Sequence, residues 1–366
     1  MKTNVVAIRV DASREIGVGH FMRSLELARQ FKTKGSEVHF ICHQLTSVLH
    51  KLAIDQGHHL HTLTTNMSDI INEQGAGAVR KSSVSDLCWR SDAERTSIKV
   101  TQIGKVDLLI VDSYKLDARW ERELKKHVTT LLVIDDLANR AHEASYLIDH
   151  NYGRKVTDYE DLIPADCIVL AGPQYAMLRR EFSALRSKTL LRRKDVPQKK
   201  HLLVTLGGGG VGEQNIKILD LIRHSDVSSL RKVTLSHPES KQHDISAFAV
   251  DFPVKLVVHE YIEDMAGAMS QADLCIGAGG ISSMERAVLG LPSLVLLLAD
   301  NQFESSQQLA QNECLFACSN VADLDIDLLN GFFNLSNMDY KRISNNTANV
   351  SDGRGIQRIL GEIESG

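Results

Sequence analysis

Strand-length runs of β-branched or apolar residues alternate with amphipathic stretches of helical length along this chain. "NVVAIRV" is followed by Phe21 to Lys34, then by "EVHFIC", and later by "VDLLIVD", "TLLVIDD" and "CIVLAG". Such alternation is the signature of βαβ units, whose strands pair in parallel. The pattern breaks at "SALRSKTLLRRKDVPQKK" (183–200), which is basic, contains Pro197 and has little apolar periodicity. It then restarts with "HLLVTLGGGG", "KVTLSH", "KLVVHEYI", "ADLCIGAGG" and "PSLVLLLAD". A chain of 366 residues exceeds the size at which one core stops growing. The expected class is therefore α/β, with a Rossmann-like domain over 1–185, a linker over 186–200, and a second such domain over 201–366 whose last helix packs back on the first. The polar stretch 65–101 reads as a loop and helix excursion.

Composition narrows the partners. Hydrophobic residues make up 43% and charged residues 24%, and the net charge is -4. Nothing in that balance draws the chain to nucleic acid or an anionic membrane. Six scattered cysteines form no disulfide framework, the N-terminal apolar run is too short for a signal peptide, and no stretch approaches a membrane span. The expectation is a cytoplasmic monomer acting on a small molecule, without membrane insertion. Cys314 and Cys318 stand at helical spacing but lack a second ligand pair, and Asp135 with Asp136 reads as a turn or N-cap; no metal or cofactor is assigned.

Ligands of open parallel sheets sit at the carboxyl ends of the strands, and two sheets facing each other enclose a deep cleft. Each motif below falls in such a loop. In "RVDASREIGVGHFMRSLELARQF", Gly17 and Gly19 permit a sharp turn and close approach, and a helix starting near His20 buries Phe21, Leu25 and Ala28. Met22 replaces the third glycine of a dinucleotide fingerprint. A histidine at a helix N-terminus is disfavoured as imidazolium and so remains able to accept a proton; the alternative is a polar residue simply bonded to the loop.

In the second domain, "CIGAGGISSMERAVLGLP" ends a strand in glycines and opens a helix near Ile281 or Ser282. Free backbone N–H groups there, with the hydroxyls of Ser282 and Ser283 pointing outward, suit a pyrophosphate. Glu285 either accepts hydrogen bonds from paired ribose hydroxyls or only complements the helix dipole. "LADNQFESSQQLA" sets Asp300, Asn301 and Gln302 after the next strand, and "VTLGGGGVGEQN" is a further glycine-rich turn. "IVDSYKLDARWE" brings Asp112, Ser113 and Tyr114 to the end of a first-domain strand.

Taken together with "VIDDLANRAHEASYLIDHN", "GPQYAMLRREF" and the terminal "DGRGIQRIL", these stretches make the chain resemble, nearly end to end, the hydrolases that cleave UDP-2,4-diacetamido-2,4,6-trideoxy-β-L-altropyranose in pseudaminic acid biosynthesis. The resemblance implies the GT-B architecture and similarity to the glycosyltransferase that adds N-acetylglucosamine to lipid I. It implies His20 as the base that activates water, with Tyr114 and Asn301 completing the catalytic set. It implies UDP-sugar contacts from Arg9, Asp11, Gly17, Gly19, Tyr175, Leu178, Arg179, Gly207, Gly208, Gly279, Gly280, Ser282, Ser283, Glu285 and Gln302. Water would attack C1 with inversion, without a metal, and the product would feed flagellin or surface-polysaccharide glycosylation.

The chain departs from that pattern in two places. Gly207 to Gly210 stand where relatives read G-G-x-D or G-G-S-D, and Ser113 stands where histidine is common. Both departures bear on the sugar more than on the nucleotide. Two other functions fit parts of the pattern: a GT-B glycosyltransferase using an alcohol acceptor, and a non-catalytic nucleotide-sugar binding protein. The second need not keep His20, Tyr114 and Asn301 together.

Overall fold

The structure is a computed structural model that describes residues 3–13, 18–63, 81–194, 199–207, 212–237, 245, 248 and 250–365; the side chains of 81–88 are not among them. Gly17 and Gly208 lie outside the described residues. The chain forms two compact units, one of residues 1–150, 154–171 and 356–366, the other of 151–153 and 172–355.

The first unit is built on strands β1 (Val5–Val10), β2 (Glu37–Cys42), β3 (His59–Thr62), β4 (Val106–Asp112), β5 (Val128–Ile134), β6 (Tyr146–Asp149) and β7 (Ile168–Ala171). They pair in parallel in the order β3-β2-β1-β4-β5-β6-β7. β4 is buried along its whole length, as a strand covered by helices on both faces must be. Helix α1 (Gly19–Thr33) follows β1 and buries Phe21, Leu25 and Ala28, the face expected from their spacing. Helix α2 (Lys81–Ile103) supplies the expected helical excursion, while 64–80 lie outside the described residues.

The second unit repeats the plan with β8 (His201–Thr205), β9 (Lys232–Ser236), β10 (Lys255–His259), β11 (Leu274–Ala278), β12 (Ser293–Leu296) and β13 (Phe316–Cys318), parallel in the order β10-β9-β8-β11-β12-β13. In both sheets the chain starts in the middle, works outward to one edge, and then returns to the other side of its first strand. The strand order thus reverses between β1 and β4, and between β8 and β11. Such a switch point opens a crevice at the carboxyl ends of the two central strands, where loops diverge to opposite faces.

The expected linker is a correction. Helix α3 (Arg180–Lys194) occupies most of it and belongs wholly to the second unit. Two of its basic residues are taken up by the fold. Arg186 donates to the carbonyls of Val288, Ser351 and Ala348, and buried Arg193 donates to those of Leu289, Ala272 and Met269 and to the Tyr340 hydroxyl. Guanidinium groups that satisfy carbonyls at helix ends look like surface charge in a sequence, since their partners lie some 80 to 165 residues away. A further helix spans Gly355–Ser365, and residues 356–366 return to the first unit.

Cys314 lies beyond the helix Phe303–Gln311 and Cys318 ends β13, so the two do not share a helical face. Among the described residues, no helix is long and apolar enough to cross a membrane.

Candidate functional site

In the first unit the switch point carries His20, the second residue of α1, and Asp112, the last residue of β4. His20 Nδ1 lies 2.5 Å from Asp112 Oδ1, with 12% of the histidine side chain exposed and none of the aspartate. Arg23 holds the carboxylate from its other side, donating from Nε to Oδ2 at 2.7 Å and from Nη2 to Oδ1 at 2.6 Å. Its remaining nitrogen, Nη1, reaches Asp136 Oδ2 at 3.0 Å, and the Ser24 hydroxyl adds a bond to Asp112 at 3.3 Å. Burial raises the Asp112 carboxyl, but Arg23 and then His20 outweigh it and hold the group well below the usual carboxylate range. Asp112 is therefore ionised, and a carboxylate on Nδ1 selects the tautomer with Nδ1–H donating and the Nε2 lone pair free to accept.

Tyr114 follows two residues after β4. Its ring meets that of His20 edge-on, with centroids 4.6 Å apart and planes at 87°. Burial and the nearby Asp136, which accepts from its hydroxyl, push the phenol pKa up, so it acts only as a neutral hydrogen-bonding group. His150, just past β6, is buried against the same charges; burial and Arg23 push its imidazole down to about 4, so it stays uncharged.

Arg9 and Asp11, two of the expected contacts, are paired with groups of the protein. Arg9 is 2% exposed, and its guanidinium is bonded to Asp92 at 3.2 and 2.6 Å and to Asp11 at 2.8 Å. Asp11 in turn accepts the backbone N–H groups of His43 and Gln44. A charge buried this completely must be paired within the protein, so the two residues brace the carboxyl end of β1. Gly19 has open space around the position of a side chain and an ordinary φ, so neither packing nor backbone geometry demands glycine there.

The second unit places its loops at its own switch point. Gly207, with φ +88°, follows β8; Gly279 and Gly280 follow β11. Gly280, at φ +77°, is the N-cap of helix α4 (Ile281–Val288), and no side chain caps that helix. A Cβ on Gly279 would lie 2.8 Å from Gln302 Oε1 and 2.9 Å from its Cβ, so the 3-10 turn Asp300–Gln302 presses directly on the glycine loop. Asn301 sits exposed in that turn.

Beneath the loop runs Arg286, 1% exposed, donating from Nη2 to the Ala278 carbonyl at 2.6 Å and to Ser283 Oγ at 2.9 Å. Ser283 is thus buried and directed inward, which corrects the outward hydroxyl expected of it. Burial lowers the Arg286 pKa, yet the group starts from such a high value that it keeps its charge. An uncapped helix N-terminus above a buried guanidinium makes this loop electropositive. Glu285 lies 3.4 Å from Arg179 Nη2, and burial raises its carboxyl against the pull of Arg179, Arg286 and Ser282. Arg179 also crosses the face of the Phe182 ring at 5.2 Å. Tyr175 ends a short 3-10 turn and is half-buried, whereas Leu178 is packed into the apolar core.

The first unit thus brings together His20 and Tyr114; the second brings together Gly279, Gly280, Gln302 and the Ser282–Glu285–Arg179 group. Asp112 as partner of His20, together with Arg23, Asp136 and His150, completes this polar cluster, and sequence reasoning missed that grouping. One signal was present: His20, Arg23 and Ser24 occupy i, i+3 and i+4, a polar stripe on a helix whose other face is apolar.

No known protein-family profile matches the chain. Among characterised and hypothetical proteins, it is 26% identical over 238 residues to the UDP-2,4-diacetamido-2,4,6-trideoxy-beta-L-altropyranose hydrolase of Campylobacter jejuni, covering 65% of this chain and 72% of that one. It is 23% identical over 308 residues to the uncharacterised protein MJ1062 of Methanocaldococcus jannaschii, and 26% identical over 209 residues to the spore coat polysaccharide biosynthesis protein SpsG of Bacillus subtilis. These matches cover 82% and 56% of this chain and span 57% and 60% of the two relatives. Among solved structures, MurG of Acinetobacter baumannii superposes with a TM-score of 0.69 at 15% identity over the whole of both chains. The UDP-GlcNAc 2-epimerase of Neisseria meningitidis follows at 0.62 and 12%, covering 99% of this chain and all of that one. The calicheamicin glycosyltransferase CalG4 gives 0.61 at 12%, covering 100% and 98%. Two parallel α/β sheets with reversed strand order, matched along their full length to glycosyltransferases and epimerases, give this chain the GT-B fold.

Proposed function

We propose that this protein is a nucleotide-sugar hydrolase that cleaves UDP-2,4-diacetamido-2,4,6-trideoxy-β-L-altropyranose, or a closely related UDP-linked diacetamido sugar, to UDP and free sugar. The observation that carries the reading is the His20–Asp112 pair at the first switch point. A carboxylate that fixes Nδ1–H and stabilises the imidazolium is what a general base needs in order to deprotonate water.

In the proposed reaction, His20 Nε2 takes one proton from water as its oxygen bonds to C1 of the sugar. The C1–O bond breaks with inversion, its electron pair passing to the diphosphate, which leaves as UDP. The Gly279–Ser282 turn and buried Arg286 hold the diphosphate charge, so the leaving group needs no strong acid. Glu285 accepts from the ribose hydroxyls, with Arg179 orienting its carboxylate. Tyr114 hydrogen-bonds water or sugar, and Asn301 and Gln302 line the nucleotide-sugar site. The similarity to the C. jejuni hydrolase supports the substrate class, and the glycine departure at Gly207 bears on the sugar.

Incubating the purified protein with the UDP-linked sugar and no acceptor tests the assignment. UDP release at a rate proportional to enzyme supports hydrolysis. Release only when an alcohol acceptor is added indicates transfer, and binding without release indicates a nucleotide-sugar binding protein.

A further inference from the structure

We infer that Glu37, His39 and His59 form a site for one divalent transition-metal ion, zinc by the class of its donors, which fastens the edge strand β3 to β2. The inference is independent of the proposed reaction, because the site stands on different residues at the other end of the strands. Glu37 and His39 are two apart on β2, His59 and His61 are two apart on β3, and the register sets His39 directly opposite His59 and Ile41 opposite His61. Side chains alternate along a strand, so all four project from the same face of the sheet.

Glu37 Oε1 stands 3.2 Å from His39 Nε2 and 3.2 Å from His59 Nε2, and the three donor atoms lie mutually within 4.8 Å. Donors around a tetrahedral zinc with bonds of about 2.0–2.1 Å are about 3.3 Å apart, so the two measured edges already match. The imidazoles of His39 and His59 stack with ring centres 4.6 Å apart and planes at 17°, which directs both Nε2 atoms the same way. The other nitrogen of His39, Nδ1, is 3.0 Å from His61 Nε2. That contact is a hydrogen bond only if one of the two nitrogens is unprotonated. With Nδ1–H of His39 donating to His61, its Nε2 presents a lone pair to Glu37. In the other tautomer His61 Nε2–H donates to His39 Nδ1 and His39 Nε2–H donates to Glu37, and a zinc ion takes the place of that Nε2 proton. The partner on the far ring nitrogen is the support that metal-bound histidines usually have.

The chemical class follows from the donors. Two imidazoles and one carboxylate suit zinc and its neighbours, and not calcium or magnesium, which take oxygen ligands. His39 is buried while Glu37 and His59 are more than half exposed, so the ion has an anchor, a route in, and a fourth position open to water. β3 is four residues long and lies at the sheet edge, where cross-strand fastening adds most. His39 and Glu37 pair with the beginning and middle of β1, whereas His20 and Asp112 lie at carboxyl ends. The ion therefore serves the fold of the first unit and not the bond-breaking step.

The test uses tag-free, chelator-treated full-length protein, because the chain has 15 histidines and an affinity tag would obscure the site. Zinc is titrated by calorimetry, and cobalt(II) by its visible absorption, in the wild type and in His59→Ala and Glu37→Gln, both substitutions at exposed positions that leave the core intact. The site predicts one saturable ion, a cobalt spectrum of four-coordinate intensity and a rise in melting temperature with zinc. Each variant should lose that ion or bind it at least about 10-fold more weakly, and His61→Asn should weaken it by about 10–100-fold through His39. Equal zinc uptake and equal melting shifts in wild type and variants, or a six-coordinate cobalt spectrum in the wild type, would overturn the assignment.

Discussion

His20 Nδ1 and Asp112 Oδ1 lie 2.5 Å apart although 92 residues separate them, because the first α/β sheet sets β4 directly beside β1. Arg23, one helical turn after His20, grips the same carboxylate with two nitrogens. His20 and the carboxylate that orients it are thus locked together by packing, the preorganisation that acid–base catalysis exploits.

If His20 is the base, His20→Ala lowers turnover by about 10²-fold or more while the Kd for UDP stays within about twofold. Asp112→Asn should lose at least as much, since an amide cannot stabilise the imidazolium and favours the wrong tautomer. Steady-state kinetics beside calorimetric UDP titration separates these effects from loss of folding. Tyr114→Phe, which removes only the hydroxyl, should cost less than His20→Ala in the same assay.

Glu285 gives a different signature. Glu285→Gln should weaken UDP binding by about 10-fold or more, the scale of hydrogen bonds to an ionised group, without changing the affinity for inorganic pyrophosphate. Competition titrations of the two ligands read the ratio. A parallel loss for both would place Glu285 at the phosphates and not at the ribose.

The contact between Gly279 and Gln302 predicts a coupling energy. Gly279→Ala brings a methyl group to within 2.9 Å of Gln302, so the variant should lose about 1–3 kcal/mol of stability in urea unfolding and bind UDP more weakly. Gln302→Gly removes the opposing atoms. The double variant should therefore be less destabilised than the sum of the two single ones, by at least about 0.5 kcal/mol.

His142 makes stability depend on pH in the first unit. Burial opposes its charge, but the nearby carboxylates of Asp135, 3.7 Å from Nε2, and Glu121, hydrogen-bonded to Nδ1 at 2.7 Å, win and raise it to about 9. The folded state therefore binds more protons than the unfolded state between about 6.5 and 9. Its contribution is complete below about 6.5, and is lost as pH rises through about 9. Urea midpoints of the wild type and His142→Gln should differ most near pH 6 and converge as pH passes 9.

Most of the strands were legible because buried parallel strands are continuous apolar runs flanked by glycine or aspartate. β3, β6 and β13 were not, being three or four residues long and without the runs of Ile, Val and Leu that mark the equally short β7 and β12. The glycine turn before α4 was legible from its residues alone, since φ +77° at Gly280 leaves few other choices. The sequence could not reveal which polar groups point inward. Arg9, Arg186 and Arg193 read as ligand contacts or surface charge, and each is committed to a partner that only the tertiary fold supplies, while Ser283 turns inward to Arg286 on its own helix. The reverse held for Asp112: an aspartate at the end of an apolar strand looks like a turn residue until β1 and α1 bring histidine and arginine to it.

The central claim is that water, and not an acceptor alcohol, attacks C1 of a UDP-linked sugar. Turnover of UDP-2,4-diacetamido-2,4,6-trideoxy-β-L-altropyranose in H2¹⁸O, with mass spectrometry of both products, tests it most directly. Attack at C1 leaves one ¹⁸O atom in the released sugar and none in UDP. Label in UDP would mean cleavage of the P–O bond, and an absence of free sugar would mean no hydrolysis; either result would contradict it.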